Sequence, residues 1–270
     1  MSDDPRSELL RAAADDEGDI AAGALWLAAE DCAGVKVREA LGVLDEIGAE
    51  LWTRLGKGRT PSPDAGIAHV LASVLRDRLG LRGGPGDDPR HHYLHSVIDS
   101  GVGIPIACGA LYVAVGRRAG LPVVGIGLPG HFVVRVGGTL VDAHGDGEIL
   151  DDAGARSLVS LALGRMPPAL EEEWLRPATP RQMLARMSRN LRACHLAGGR
   201  HGLALRAADR CVALLPHDPG ERRDRGLLRL RLGMTWPALR DLRAYLDGAP
   251  DAADRADIER IVAQARAVLN

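Results

Sequence analysis

The sequence predicts an α+β protein in three parts: a helical N-terminal region, a core of one helix and three short strands, and an all-α C-terminal part. Three observations carry this. Residues 7–56 place apolar side chains at helical spacing. Residues 103–142 read as one apolar helix followed by three β-branched stretches. From residue 181 onward, related residues recur 34 positions apart.

In the first part, "SELLRAAADDE" and "DIAAGALWLAAED" mix apolar and charged residues as helices do, and "VREALGVLDEIGAELWTRL" is strongly amphipathic. Its Leu41, Leu44, Ile47, Leu51 and Leu55 fall three or four apart. "GKGRTPSPDAG" breaks the pattern with two prolines, a further helix spans about 64–79, and "GLRGGPGDDP" is a loop. "HHYLHSVIDSG" resumes as a short helix.

Pro105 suits the first turn of the next helix, where its missing amide hydrogen is not needed. Arg117 and Arg118 suit the last turn and Gly120 the C-terminal cap. "PVVGIGL", "HFVVRV" and "TLVDA" then read as strands, the last two joined by a tight "VGGT" hairpin.

In the C-terminal part, Gly199 and Gly233, Ala204 and Ala238, Cys211 and Tyr245, and Pro216 and Pro250 are 34 residues apart. That is the tetratricopeptide period, with small residues where two helices cross and a proline after the second. Two repeats fall short of the usual three, so residues 251–270 are expected to cap them. The expected organisation is a first domain over 1–163, a Pro- and Glu-rich connector over 164–180, and a repeat domain over 181–270.

Composition excludes several functions. The chain has 270 residues, 46% of them hydrophobic, enough for two packed domains. Lys and Arg total 34 against 36 Asp and Glu, and aromatics make up 3%, so no basic field or stacking platform points to nucleic acid. No run approaches the roughly 18 apolar residues of a membrane span. "MSDDPRSELL" lacks the basic and apolar regions of a signal peptide. Cys32, Cys108, Cys194 and Cys211 form no CxxC or zinc-like spacing, so free thiols in the cytoplasm are expected.

The stretch "YLHSVIDSGVGIPIACGALYVAVGRRAGLPVVGIGLPGHFVVRV", then "LVDAHGDGEIL", then "RDRGLLRLRLG" resembles the bacterial SirB-type family. Its members join a transglutaminase-like domain to a short tetratricopeptide tail, and the similarity runs from about residue 8 to 265. The resemblance implies a papain-like fold in which a central helix packs on an antiparallel sheet. In active transglutaminase-like enzymes a Cys at the helix N-terminus attacks an amide, a strand His is the base, and an Asp on the next strand orients it. His131 and Asp142 match the last two roles, on neighbouring strands whose side chains can meet.

Counting back from "GLP", the enzymes' Cys falls at about Pro105, three residues before Cys108. Many members of the family read "GIPISL" there, and this chain has Ala107 and Cys108 at the last two places. Residues three apart on a helix have Cβ atoms about 5–6 Å apart. Thiol and base must approach within about 2.6–3.2 Å, so a one-turn displacement exceeds the tolerance. Cys108 is therefore read first as a buried small hydrophobe, with a displaced nucleophile as the competing reading.

Asp142, His144, Asp146 and Glu148 alternate and would share one face of a strand. His144 and Asp146 are thus the candidate metal ligands, although "HGDG" reads as a turn and no metal or cofactor is expected. His91 and His95 form an i, i+4 pair on the expected short helix, and with His92 read as a solvated or N-terminal polar cluster. The Arg-rich faces of 222–243 read as salt-bridged helix surface, given the interspersed Asp and Glu.

The expected function is non-catalytic: binding of a protein or peptide through the tetratricopeptide groove or the old active-site cleft, with no nucleic-acid or membrane partner. The alternative is a cysteine-dependent amide hydrolase or acyltransferase using Cys108, His131 and Asp142.

Overall fold

The computed structural model describes residues 4–15, 18–56 and 64–267. Most of the predicted break at "GKGRTPSPDAG", residues 57–63, lies outside the described residues. The chain forms two compact units, Met1–Met187 and Ser188–Asn270.

The first unit opens with α1 (Pro5–Ala12), α2 (Ile20–Asp31), α3 (Val37–Arg54) and α4 (Asp64–Leu79). Carboxylates set two of the starts: Asp4 accepts from the Ser7 amide, and Asp19 from those of Ala21 and Ala22. On α3 the predicted stripe buries Leu44, Ile47 and Leu51, with Leu41 and Leu55 half-buried at its ends.

Next come β1 (Arg82–Gly83), a 3₁₀ turn at Pro89–His91, α5 (Leu94–Ser100), β2 (Val102–Gly103) and α6 (Pro105–Arg118). The Gly-rich stretch read as a loop contains β1, which pairs in parallel with β2. The helix expected from "HHYLHSVIDSG" is two pieces, because Tyr93 is extended between the 3₁₀ turn and α5.

Every residue of α6 from Ile106 to Gly116 is buried, as expected of a helix enclosed on all sides. It packs on β3 (Val123–Ile126) and β4 (Val133–Val136), and the sheet is completed by β5 (Thr139–Asp142), β6 (Glu148–Leu150) and β7 (Pro177–Ala178). These form one antiparallel sheet in the order β6-β5-β4-β3-β7. A Cβ at Gly109 would stand 2.7 Å from the Phe132 ring, and one at Gly116 2.4 Å from Val123, so both glycines are what lets helix and sheet approach.

The β4–β5 hairpin turns at Gly137, where φ is +58°, and the Asp64 carboxylate accepts from the Gly138 amide at 2.7 Å. Between β6 and β7 lies α7 (Asp152–Leu163), capped by Asp151. Its Val159 joins Ile126, Leu128 and Val133 in a core cluster on the sheet. β7 lies inside the stretch expected to connect domains and adds an edge strand.

The second unit holds the end of α8 (Pro180–Ala197), then α9 (His201–Leu214), α10 (Pro219–Arg231), α11 (Thr235–Gly248) and α12 (Arg255–Ala267). Members of the 34-residue pairs occupy matching places. Gly199 and Gly233 turn between helices with φ of +68° and +72°. Ala204, Ala238, Cys211 and Tyr245 are all buried, and Pro216 and Pro250 follow the second helix of each pair. Ion pairs hold the helices together: Asp241 receives Arg225 at 2.6 Å and Arg229 at 2.8 Å, and Glu221 receives Arg189 and Arg192. Among the described residues no helix is long and apolar enough to cross a membrane.

Candidate active site

Pro105 is the first residue of α6, and no side chain caps this start. Its fixed φ and lack of an amide hydrogen suit that place and leave it without a nucleophilic atom. Cys108 lies one turn further in, fully buried. Its thiol donates to the Gly103 carbonyl at 3.4 Å. Burial, then the nearby charge of Asp142, pushes the thiol up to about 12.

His131 and Asp142 meet. His131 Nε2 donates to Asp142 Oδ1 at 3.0 Å, because an ionised carboxylate can only accept. His131 is not on the strand as expected but precedes β4, in a turn closed by its amide on the Leu128 carbonyl at 3.2 Å. Asp142 ends β5 and is 6% exposed. Burial opposes its ionisation, but hydrogen bonds from His131 and from the amides of His144 and Gly145 outweigh this. They hold the carboxyl below its ordinary value.

The β4–β5 register pairs Val136 with Thr139 and Val134 with Val141. Continued beyond the strands, it sets His131 opposite His144, and the two rings stand edge-on with centroids 5.9 Å apart. His144 Nε2 donates to the Gly84 carbonyl at 3.2 Å. The next two carbonyls are also held by imidazoles: Pro85 by His91 Nδ1 and Gly86 by His92 Nε2, each at 2.8 Å. Three histidines thus strap the 84–86 loop beside the dyad.

Of the two readings of the histidine cluster, solvated or N-terminal, the solvated one is corrected accordingly. His92 is only 4% exposed, and His91 and His95 sit on different helical pieces instead of one face. The turn read at "HGDG" is present, so Asp142, His144, Asp146 and Glu148 do not share a strand face. The chain turns after Asp142, so His144 and Asp146 lie in the turn and Glu148 pairs across from Asp142. Asp146 takes a φ of +56° there. Among the described residues no group of three His, Cys, Asp or Glu side chains is placed to hold a metal ion.

Sequence reading missed Arg186. Its guanidinium donates to the Leu128 carbonyl at 3.1 Å and the His131 carbonyl at 2.7 Å, and lies over the Phe132 ring at 5.5 Å. It fixes the backbone that carries His131. No local pattern marks it, since it sits on α8 more than fifty residues away.

A buried helix on an antiparallel sheet, with a His–Asp pair at the sheet's end, defines a transglutaminase-like domain. Residues 38–189 match the family model described as Transglutaminase-like superfamily, and residues 191–266 a Tetratricopeptide repeat model. The chain belongs to the transglutaminase-like superfamily and, within it, to the bacterial UPF0162 family that includes SirB1. It is 37% identical over 192 residues to a UPF0162 protein of Xylella fastidiosa, covering 67% of this chain and 68% of that one. It is 31% identical over 225 residues to a UPF0162 protein of Pseudomonas aeruginosa, covering 79% and 78%. SirB1 of Salmonella typhimurium is 26% identical over 165 residues, covering 59% and 60%. Among solved structures, menin matches with a TM-score of 0.41 and 11% identity, over 91% of this chain and 69% of that one. Tetratricopeptide helices support a protein-binding role.

Proposed function

We propose that the chain acts in the cytoplasm by binding a protein or peptide, and that its transglutaminase-like site is no longer catalytic. The observation that carries this reading is the state of Cys108. Its thiol is fully enclosed, donates to the Gly103 carbonyl at 3.4 Å and is held protonated by burial, whereas only the thiolate attacks. With Pro105 at the family's nucleophile position, no other thiol stands on α6.

The groove between α8 and α10 suits the partner. Arg192, Leu196, Asp224, Leu227, Leu228 and Arg231 line a depression of about 190 Å³ that offers an apolar floor and charges of both signs. The intact His131–Asp142 hydrogen bond favours the other reading, a cysteine-dependent amide hydrolase or acyltransferase.

Recovery of a bound protein on the immobilised chain separates the two. Binding by the tail predicts that Cys108→Ser recovers the same protein at the same yield, and that Leu227→Arg loses it at least about tenfold. Loss with Cys108→Ser, or a thioester on Cys108 detected by mass, sinks the binding reading.

A further inference from the structure

Arg189, Arg192, Arg223, Arg225 and Arg229 of the second unit all reach carboxylates. Arg240 and Arg243 on α11 do not: both are exposed, with no ion pair or hydrogen bond among the described residues. One turn before Arg240 stands Trp236, 68% exposed, and Leu232 and Met234 before it are exposed too. Trp236, Arg240, Arg243 and Asp247 fall at i, i+4, i+7 and i+11, a stripe about 16 Å long. Together they border a depression of about 310 Å³.

The repeat shows that its fold does not need these side chains. Thirty-four residues before Trp236 and Leu232 stand Gly202 and Gly198, around the equivalent turn at Gly199. A Cβ at Gly202 would meet nothing within 4 Å, so the place is open to solvent. A large indole at such a place gains nothing from this unit's core and gains much from a partner. The stripe lies on the second helix of its pair, away from the groove formed by α8 and α10.

We propose that this α11 face docks an acidic segment of another protein, with an apolar side chain on Trp236 and carboxylates on Arg240 and Arg243. The inference rests on the binding reading above and names the chemistry of one partner. Two unpaired guanidiniums about one turn apart match acidic residues spaced i, i+3 or i, i+4 on a helix. Nucleic acid fits poorly, because Asp247 ends the stripe and the chain carries a net charge of −2.

Photocrosslinking of the full chain in bacterial cells tests this, with benzoylphenylalanine at position 236 or, separately, at position 227 in the groove. Expected at 236 is a crosslink to a protein segment with at least two acidic residues beside an apolar one. It should drop at least about fivefold with Arg240→Glu plus Arg243→Glu and persist with Arg240→Lys plus Arg243→Lys. A crosslink to an uncharged or basic segment, to nucleic acid, lipid or a second copy, or one indifferent to charge reversal, overturns the proposal. Crosslinks at 227 with none at 236 overturn it and leave the binding reading standing. None at either position defeats both.

Discussion

His131 Nε2 donates to Asp142 Oδ1 across 3.0 Å, and the same oxygen accepts the backbone amide of His144 at 2.9 Å. The end of β5 is thereby tied to the turns on either side. These two bonds hold the carboxylate of Asp142 in place in the folded chain. Asp142→Ala leaves His131 and an amide without their acceptor and is expected to cost about 1–3 kcal/mol in urea unfolding at pH 7.

The same carboxyl makes that cost pH-dependent. Its folded value lies below the unfolded one of about 4, so its stabilisation is full above pH ~4 and is lost as pH falls through the folded value. The stability gap between the wild type and Asp142→Ala should therefore shrink between pH 5 and pH 2. An unchanged gap contradicts the assignment.

His92 works in the opposite part of the range. Burial holds it below its ordinary value, the hydrogen bond to Gly86 only partly opposes this, and its Nδ1 is buried with no hydrogen-bond partner. His91 and Asp88 face it with opposing charges, and His95 is lowered by burial as well. Protonation charges the unfolded chain first, so stability is full above pH ~6.5 and declines as pH falls below it. His92→Gln should flatten the loss of unfolding free energy between pH 7 and pH 5.

Gly109→Ala places a methyl group 2.7 Å from Phe132, where neither α6 nor β4 can recede freely. A loss of about 1–3 kcal/mol is expected, read as a fall in Tm. Gly42→Ala on α3, where a Cβ meets nothing, is the control.

Asp241 is 2% exposed and holds both Arg225 and Arg229. Asp241→Ala leaves both guanidiniums with Asp209 as their remaining carboxylate, 3.0 Å from each, and is expected to cost about 1–3 kcal/mol. Asp247→Ala on the same helix, exposed and unpaired among the described residues, should be near neutral in the same denaturation series.

The elements legible in the sequence are those with a long pattern. The 3.5-residue stripe of α3, the unbroken apolar run of α6 and the 34-residue period each span many positions, so chance and context cannot easily blur them. What escaped was short or distant. β1, β2 and β7 are two residues each, too brief to alternate, and form because a partner strand is already in place. His131 and Asp142 were legible from their motif. His144 against His131 follows from hairpin register continued past the strands, which a strand pattern alone does not supply. Arg186 reaches the site through tertiary packing, and no spacing rule marks it.

The central claim is that Cys108 is an inert core thiol. Iodoacetamide alkylation of the native protein at pH 7.5, followed residue by residue by mass spectrometry, tests it most directly. The account predicts that half-buried Cys32 reacts first and that Cys108 reacts only on unfolding, equally slowly in the wild type and in His131→Ala. Rapid modification of native Cys108 that disappears in His131→Ala contradicts the account and makes Cys108 a nucleophile.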